Sequence, residues 1–218
     1  MITRLISYSQ SIESMSIEES IAYCARVSNP KNQDNHSTSK GLLRYLIREG
    51  HFSPFEMVSV CLEIVTTRDI ARQILRHRSF SFQEFSQRYA DPTEDLKFST
   101  REARLQDDKN RQNSIEVNDT DLKYTWYAKQ LMVKEEALNA YKWAISKGIA
   151  KEQARAVLPE GMMESRLYMN GTVRSWMHYI ELRTGNGTQK EHITVAKHAA
   201  VTISQIFPMI MEFVQGEK

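Results

Sequence analysis

A chain of 218 residues can bury about 70% of its unfolded surface, enough for a core without disulfide or metal staples. Hydrophobic residues make up 41% and charged residues 26%, which excludes a disordered chain, a collagen and a coiled-coil rod. Lys and Arg number 29 against 27 Asp and Glu, so bulk charge announces neither nucleic acid nor a membrane surface, and any basic site is local.

Residues 2–8 alternate loosely and read as a short strand. Ser16 opens a helix: Ser16 and Glu19 match a capping box, and Ile17, Ile21, Cys24 and Ala25 follow at helical spacing. Residues 27–36 are turn formers. Over 38–48 a helix carries Leu42, Leu43, Leu46 and Ile47 on one face, and Gly50 ends it. The run 55–67 reads as one long strand with Val58, Val60, Leu62 and Ile64 sharing a face. A helix over 68–78 has Ile70, Ala71, Ile74 and Leu75 as its apolar stripe and Asp69 at its positive end.

Residues 79–91 mix polar and aromatic side chains with no clear period, and 91–118 read as a loop with a short strand. From 119 to 147 the spacing predicts a long amphipathic helix with Tyr124, Tyr127, Leu131, Leu138, Tyr141 and Ile145 as its stripe, closed by Gly148. A short helix over 151–158 stops at Pro159, 166–169 reads as a strand, and helices are expected over 172–183 and 190–207. Strands and helices mix without regular βαβ alternation, and glycine and proline are scarce. The expected class is therefore α+β: a helix-rich single domain over 1–218 with a small antiparallel or mixed sheet.

Cys24 and Cys61 lie in apolar stretches and read as buried free thiols. Neither has an obvious activating base, which argues against a cysteine nucleophile. The first residues lack an apolar core of signal-peptide length, and the greasiest segment, 199–214, is too short and too polar to span a bilayer. A soluble, cytoplasmic protein is expected. The six histidines form no HExxH, and His192 and His198 fall on different helix faces, so no metal is expected. Trp126, Trp143 and Trp176 read as core residues.

The densest polar cluster runs from Arg76 through Tyr89, after a helix whose Arg68, Arg72 and Arg76 lie four apart. Guanidinium forks bind phosphate and carboxylate bidentately, and a helix-to-loop segment adds backbone N–H groups and hydroxyls. A solvated basic face running into a loop is the plain alternative. The cluster Arg76-His77-Arg78, then seven residues to Ser86, then Arg88-Tyr89, resembles the signature of the flavin-dependent thymidylate synthases. Three further segments fit in order and spacing. His51-Phe52-Ser53-Pro54-Phe55-Glu56 is similar to that family's H-x-[ST]-P-F-E. Arg155 to Pro159 is similar to its R-x-V-L-P element, and Arg174 to Arg183 to its arginine-bearing helix.

The resemblance implies an enzyme that methylates dUMP to dTMP. Methylenetetrahydrofolate supplies the carbon, and NADPH supplies reducing equivalents through FAD. Hydride passes from reduced flavin to the uracil ring without a covalent protein nucleophile. It also implies a homotetramer with active sites shared between subunits, and no nucleic-acid or membrane partner. By resemblance, Gln73, Ile74, Leu75, Arg76, Glu84, Phe85, Ser86, Gln87, Arg88, Arg155 and Arg183 would contact dUMP. Arg88 and Arg155 would be the phosphate and ribose clamps. Arg183 would be the catalytic residue, beside the pyrimidine and favouring ionisation of its ring N–H. Ser53, Arg76, His77, Arg78, Glu84, Thr172, Val173, Arg174 and His178 would contact FAD.

A serine without an adjacent base is inert at its own pKa, so Ser86 is expected to bind rather than attack. Met57, Gln83, Thr172 and the loop 184–190 depart from the family pattern. Gln and Thr still hydrogen-bond, so those changes are expected to tune affinity. Two other readings compete: a nucleotide- or flavin-binding homologue without catalysis, and a single-stranded nucleic-acid module built on the aromatic and basic residues of 76–89. The combination of Arg88, Arg155 and Arg183 favours catalysis.

Overall fold

The structure, a computed structural model, describes residues 2–216; Met1, Glu217 and Lys218 of the expected 1–218 domain lie outside the described residues. In chain order it runs β1 (Ile2–Tyr8), α1 (Ile17–Ala25), α2 (Ser39–Arg48), β2 (Ser59–Thr67), α3 (Arg68–Ile74), β3 (Ser81–Glu84) and α4 (Pro92–Asp95). There follow β4 (Arg104–Gln106), β5 (Ser114–Glu116), α5 (Thr120–Ser146), α6 (Lys151–Ala154), β6 (Glu164–Thr172), α7 (Val173–Thr184) and α8 (Lys190–Ser204). Among the described residues the main sheet has four strands in the order β1-β2-β6-β3, every pair antiparallel, and β4-β5 is a separate hairpin. The class is α+β, as expected.

Alternation sets the inner face of the sheet. Val60, Leu62 and Ile64 of β2 and Leu167 and Met169 of β6 are fully buried, while Arg166, Tyr168 and Asn170 point away. Helices α7 and α8 cover that face with Trp176, Tyr179, Ile180, Val195, Ala199 and Ile203. A fully buried Val or Ile among them contributes about 1.5–3 kcal/mol by leaving water. Trp176 anchors the packing: its ring meets Phe80 edge-on at 4.9 Å and Tyr179 at 5.7 Å, and its Nε1–H donates to the Val60 carbonyl at 3.0 Å.

Local signals explain the element ends. Glu19 N–H donates to Ser16 Oγ at 3.2 Å, and Ser16 N–H donates to Glu19 Oε2 at 2.8 Å, the reciprocal capping box. Asp119 caps α5 through Leu122 N–H at 2.9 Å. Gly50 and Gly148 take the left-handed conformation, φ 72° and 75°, that ends α2 and α5.

Several expectations need correction. The strand expected over 55–67 begins only at Ser59, because Pro54 opens a tight 3-10 turn, Ser53–Met57, that buries Phe55. The strand expected over 166–169 is longer, Glu164–Thr172. The polar segment 91–118 holds α4 and a hairpin rather than one short strand. In α5 the buried stripe is Gln130, Ala137, Tyr141 and Ala144. Tyr124, Tyr127 and Leu131 of the expected stripe are exposed, because α5 leans on the body through a different face. Trp126 and Trp143 are exposed with them; only Trp176 of the tryptophans is core. Cys24 is exposed and Cys61 half-buried, so neither is a buried thiol. No helix of the described residues is long and apolar enough to cross a membrane.

Gly171 of β6 sits face to face with the Phe80 ring, and a Cβ added there would overlap Phe80 Cδ1 and Cε1. Phe80 is wedged between Trp176 and Tyr179 and has little room to yield. Gly171→Ala is therefore expected to cost about 1–3 kcal/mol of stability by overpacking. Chemical denaturation of the variant checks this; an unchanged midpoint would mean that the Phe80 ring can move.

Candidate active site

Helix α3 stops at Ile74, and the chain turns back as His77 N–H donates to the Ile74 carbonyl at 3.0 Å. Residues 75–78, expected to be helical, form this turn and aim Arg76 and His77 away from the helix axis. The expected arginine stripe is broken as well. Arg68 is buried, 3.6 Å from Glu84 and 3.7 Å from Glu160, and Arg72 reaches the same two carboxylates at 3.7 and 3.3 Å. Glu84 also accepts from Ser165 Oγ at 2.8 Å. Glu84 reaches this cluster because residues 81–84 form an edge strand on β6, a strand the residue pattern did not predict. Arg76 and Arg78 are exposed and pair with no acidic side chain among the described residues.

Beyond the turn lies a half-buried group. Arg183, near the end of α7, donates from Nε to His77 Nε2 at 2.8 Å. This requires a lone pair on Nε2, so His77 is neutral and carries its proton on Nδ1. Burial, with Arg183, His178 and Arg76 nearby, pushes His77 down to about 4. The two Nη groups of Arg183 have no hydrogen-bond partner among the described residues. Burial and the neighbouring Arg76 lower its pKa, while Tyr179 works in the opposite direction. The fully buried Tyr179 packs edge-on against His77 at 5.0 Å and meets His192 Nε2 through its hydroxyl at 3.1 Å. His192 is pushed down to about 3, chiefly by burial, and its Nδ1 lies 3.1 Å from Gln73 Oε1. Gln73 Nε2 donates to Gln189 Oε1 at 2.8 Å. Ile74 is core and Leu75 half-buried.

A cavity of about 500 Å³ opens beside Phe52, Ser79, Arg174 and His178. At its edge Glu56 accepts from Thr172 Oγ1 at 2.6 Å and from Arg174 at 2.7 Å, and these bonds hold its carboxyl below the usual range. Thr172 also caps α7 through Ser175 N–H at 3.2 Å, so its hydroxyl serves the helix as well as the cavity. Val173 is buried beneath, and Ser53 is exposed on the adjoining turn.

The remaining residues stand apart. Ser86 Oγ accepts from Arg88 N–H at 3.4 Å, and Arg88 reaches Glu152 at 3.5 Å. Phe85 is half-buried, and Gln87 is 3% exposed with its Nε2 unpaired. Arg155 is half-buried and pairs with no side chain among the described residues. No hydrogen bond or ion pair among the described residues joins this group to the Gln73–His77–Arg183 group. Residue patterns singled out neither Gln189 nor Glu191 and weighed His192 only as a metal ligand.

Two histidines held neutral by burial give a sign to the acid response. Both are lowered from the ordinary 6.5, so between 6.5 and about 4 the unfolded chain binds protons that the folded chain does not. Stability is then full above 6.5 and falls as pH drops, by up to about 1.4 kcal/mol per pH unit for each histidine. Melting temperatures between pH 7 and 5 are expected to decline, and less so in His192→Gln. Parallel declines in both proteins would remove His192 from the effect.

An α+β body that exposes unpaired arginines beside a neutral histidine pair and a half-open cavity has the equipment of a nucleotide-binding enzyme. Residues 5–209 match the family model described as thymidylate synthase complementing protein. The chain is 52% identical over 198 residues to the flavin-dependent thymidylate synthase of Synechocystis sp., across 91% of this chain and 89% of that one. It is 50% identical over 193 residues to the probable flavin-dependent thymidylate synthase of Paramecium bursaria Chlorella virus 1, across 88% of each chain. The chain belongs to the family of flavin-dependent thymidylate synthases. The solved UMP/dUMP methylase PolB from Streptomyces cacaoi, bound with 5-Br dUMP, superposes with a TM-score of 0.80 at 27% identity, over 97% of this chain and 93% of that one.

Proposed function

We propose that this chain reductively methylates dUMP to dTMP, taking its carbon from methylenetetrahydrofolate and its electrons from NADPH through FAD. One observation carries the reading: Arg183 is fixed at Nε by a neutral His77 while both its Nη groups stay unpaired. A uracil ring offers carbonyl oxygens to those donors. The guanidinium beside the ring favours loss of the ring N–H proton, because it stabilises the anion that results. Gln73 and Arg76 add amide and cationic contacts on the same side. Arg88, Ser86, Gln87 and Arg155 supply the hydroxyl, amide and guanidinium donors that a nucleotide phosphate takes.

FAD fits the donors present. Arg76 and Arg78 are exposed and have no acidic partner among the described residues, which suits a pyrophosphate, and Arg174, His178 and the Phe52 ring line the cavity. Ser53, Thr172 and Val173 do not line it themselves but are chain neighbours of Phe52 and Arg174, which do. FAD, when bound, supplies the hydride-transfer chemistry of the reaction. The chain's own part is to hold the nucleotide, keep His77 uncharged and exclude water from the half-buried pocket around Tyr179.

The assembly implied is a homotetramer of single-domain chains, working in the cytoplasm, with sites shared between subunits. Two observations support it. The Arg88–Arg155 group is unlinked to the Gln73–Arg183 group within one chain. Helix α5 exposes Tyr124, Tyr127 and Leu131 on one side, an apolar face that a second copy would cover.

An absorbance spectrum of the purified protein with and without FAD, followed by dUMP titration, tests the proposal. Flavin bands that shift with dUMP are expected. A protein that refuses FAD would overturn it. Arg78→Ala is expected to lower flavin content, and unchanged content in that variant would remove the cofactor role of the Arg-His-Arg turn.

A further inference from the structure

We propose that Glu191 is a positioning residue which, through Gln189, fixes the way the Gln73 amide faces the nucleotide. The proposal rests on the reading that Gln73 meets dUMP. Hydrogen-bond polarity fixes each group in the row. A carboxylate only accepts, so Gln189 must turn its NH2 toward Glu191, and it does so at 2.9 Å. Gln189 Oε1 is then left facing Gln73, whose Nε2 donates to it at 2.8 Å. Gln73 Oε1 must therefore face His192 Nδ1, which donates at 3.1 Å, and His192 Nε2 must accept from the Tyr179 hydroxyl. Every donor in the row points toward the carboxylate. One N–H and one lone pair remain free on Gln73, and their sides are no longer interchangeable.

Glu191 is a firm end for such a row. It is 8% exposed, with Arg101 Nη1 at 2.8 Å and Arg104 hydrogen-bonded to its other oxygen. The Arg101 and Arg104 guanidiniums, with Gln189, hold its carboxyl below the usual range against the opposing effect of burial. Arg101 also donates to Asp69 at 2.8 Å and to Thr67 Oγ1 at 2.7 Å, at the start of α3. Helix α3 is thus tied at its first turn to the carboxylate that orients the amide at its last. Without a carboxylate the two amides and the imidazole lose a fixed polarity, since an amide presents either group with similar shape.

The test uses Gln189→Leu, which breaks the row and leaves the Arg101–Glu191–Arg104 pairs intact, together with Glu191→Gln and Gln73→Ala in the full-length protein. Both Gln189→Leu and Glu191→Gln are expected to raise the KM and Kd for dUMP about tenfold, with flavin content and kcat little changed. Imidazole nitrogen NMR is expected to report His192 as the Nδ1–H tautomer in the parent and as a mixture in Glu191→Gln. Adding Gln189→Leu to Gln73→Ala should give no further loss. If Gln73→Ala alone leaves dUMP affinity unchanged, the placement of Gln73 against the nucleotide is wrong. If Gln73→Ala weakens dUMP but Gln189→Leu does not, the positioning role is wrong while the site survives.

Discussion

Arg183→Ala is expected to lower kcat/KM for dUMP by about 10²–10³-fold while the protein still purifies with flavin. The size follows from the position of the guanidinium. Its Nε is spent on His77, so the side chain is already oriented, and its two Nη groups are the donors left for a ligand. Removing it deletes a preorganised charge and the donor to His77 Nε2, a modest cost in folding, since its burial is partial and no carboxylate depends on it among the described residues. Arg183→Lys is expected to recover little, because an ammonium reproduces neither the bond to His77 nor the planar pair of Nη donors. Steady-state kinetics with dUMP and a flavin spectrum of the same preparation check both halves. A variant that emerges without flavin would place Arg183 with the cofactor instead.

The largest effect on stability is expected from Trp176→Ala. The side chain is fully buried at the meeting of β2, α7 and the Phe80 ring. Its removal leaves a large cavity and takes the indole N–H donor away from the Val60 carbonyl inside the sheet. The loss should be about 3–5 kcal/mol, or roughly 6–20 °C in melting temperature for a chain of this size. Thermal scans at one protein concentration measure it. A shift of only one or two degrees would mean that the core collapses into the space. Because Phe80 and Tyr179 pack on the same ring, the variant should also loosen the wall behind His77.

Features with a local cause were legible in the residues themselves. The Ser16–Glu19 box, the glycines after α2 and α5, and the alternation of Val60, Leu62 and Ile64 each act over a few neighbours, and each appears where expected. The Arg-His-Arg turn was legible through resemblance rather than through periodicity. What escaped depends on contacts distant in sequence. The strand at 81–84 is only four residues long, and its half-buried Glu84 is paired with arginines that a hydrophobic pattern does not register. The first half of the α5 stripe, Tyr124, Tyr127 and Leu131, is exposed, because periodicity shows that a face exists and not what covers it. Gln189 and Glu191 were invisible because the bond from Gln73 to Gln189 spans 116 residues.

The pairing of β2 with β6 also sets an order of events during synthesis. Ser59 opposes Thr172 and Thr67 opposes Glu164, so β2 leaves the ribosome long before its central partner exists. At about 5–20 residues per second the delay is roughly 5–23 s, and in that interval Val60, Leu62 and Ile64 have only β1 to pair beside them. The nascent chain therefore carries an apolar strand with an open edge through about half of its translation, the kind of surface that chaperones bind. Arg183 follows β6 by less than one helix length, so closing the sheet and completing the Arg183–His77 pair fall within the same few seconds. A ribosome that stalls before residue 164 would release a chain with neither.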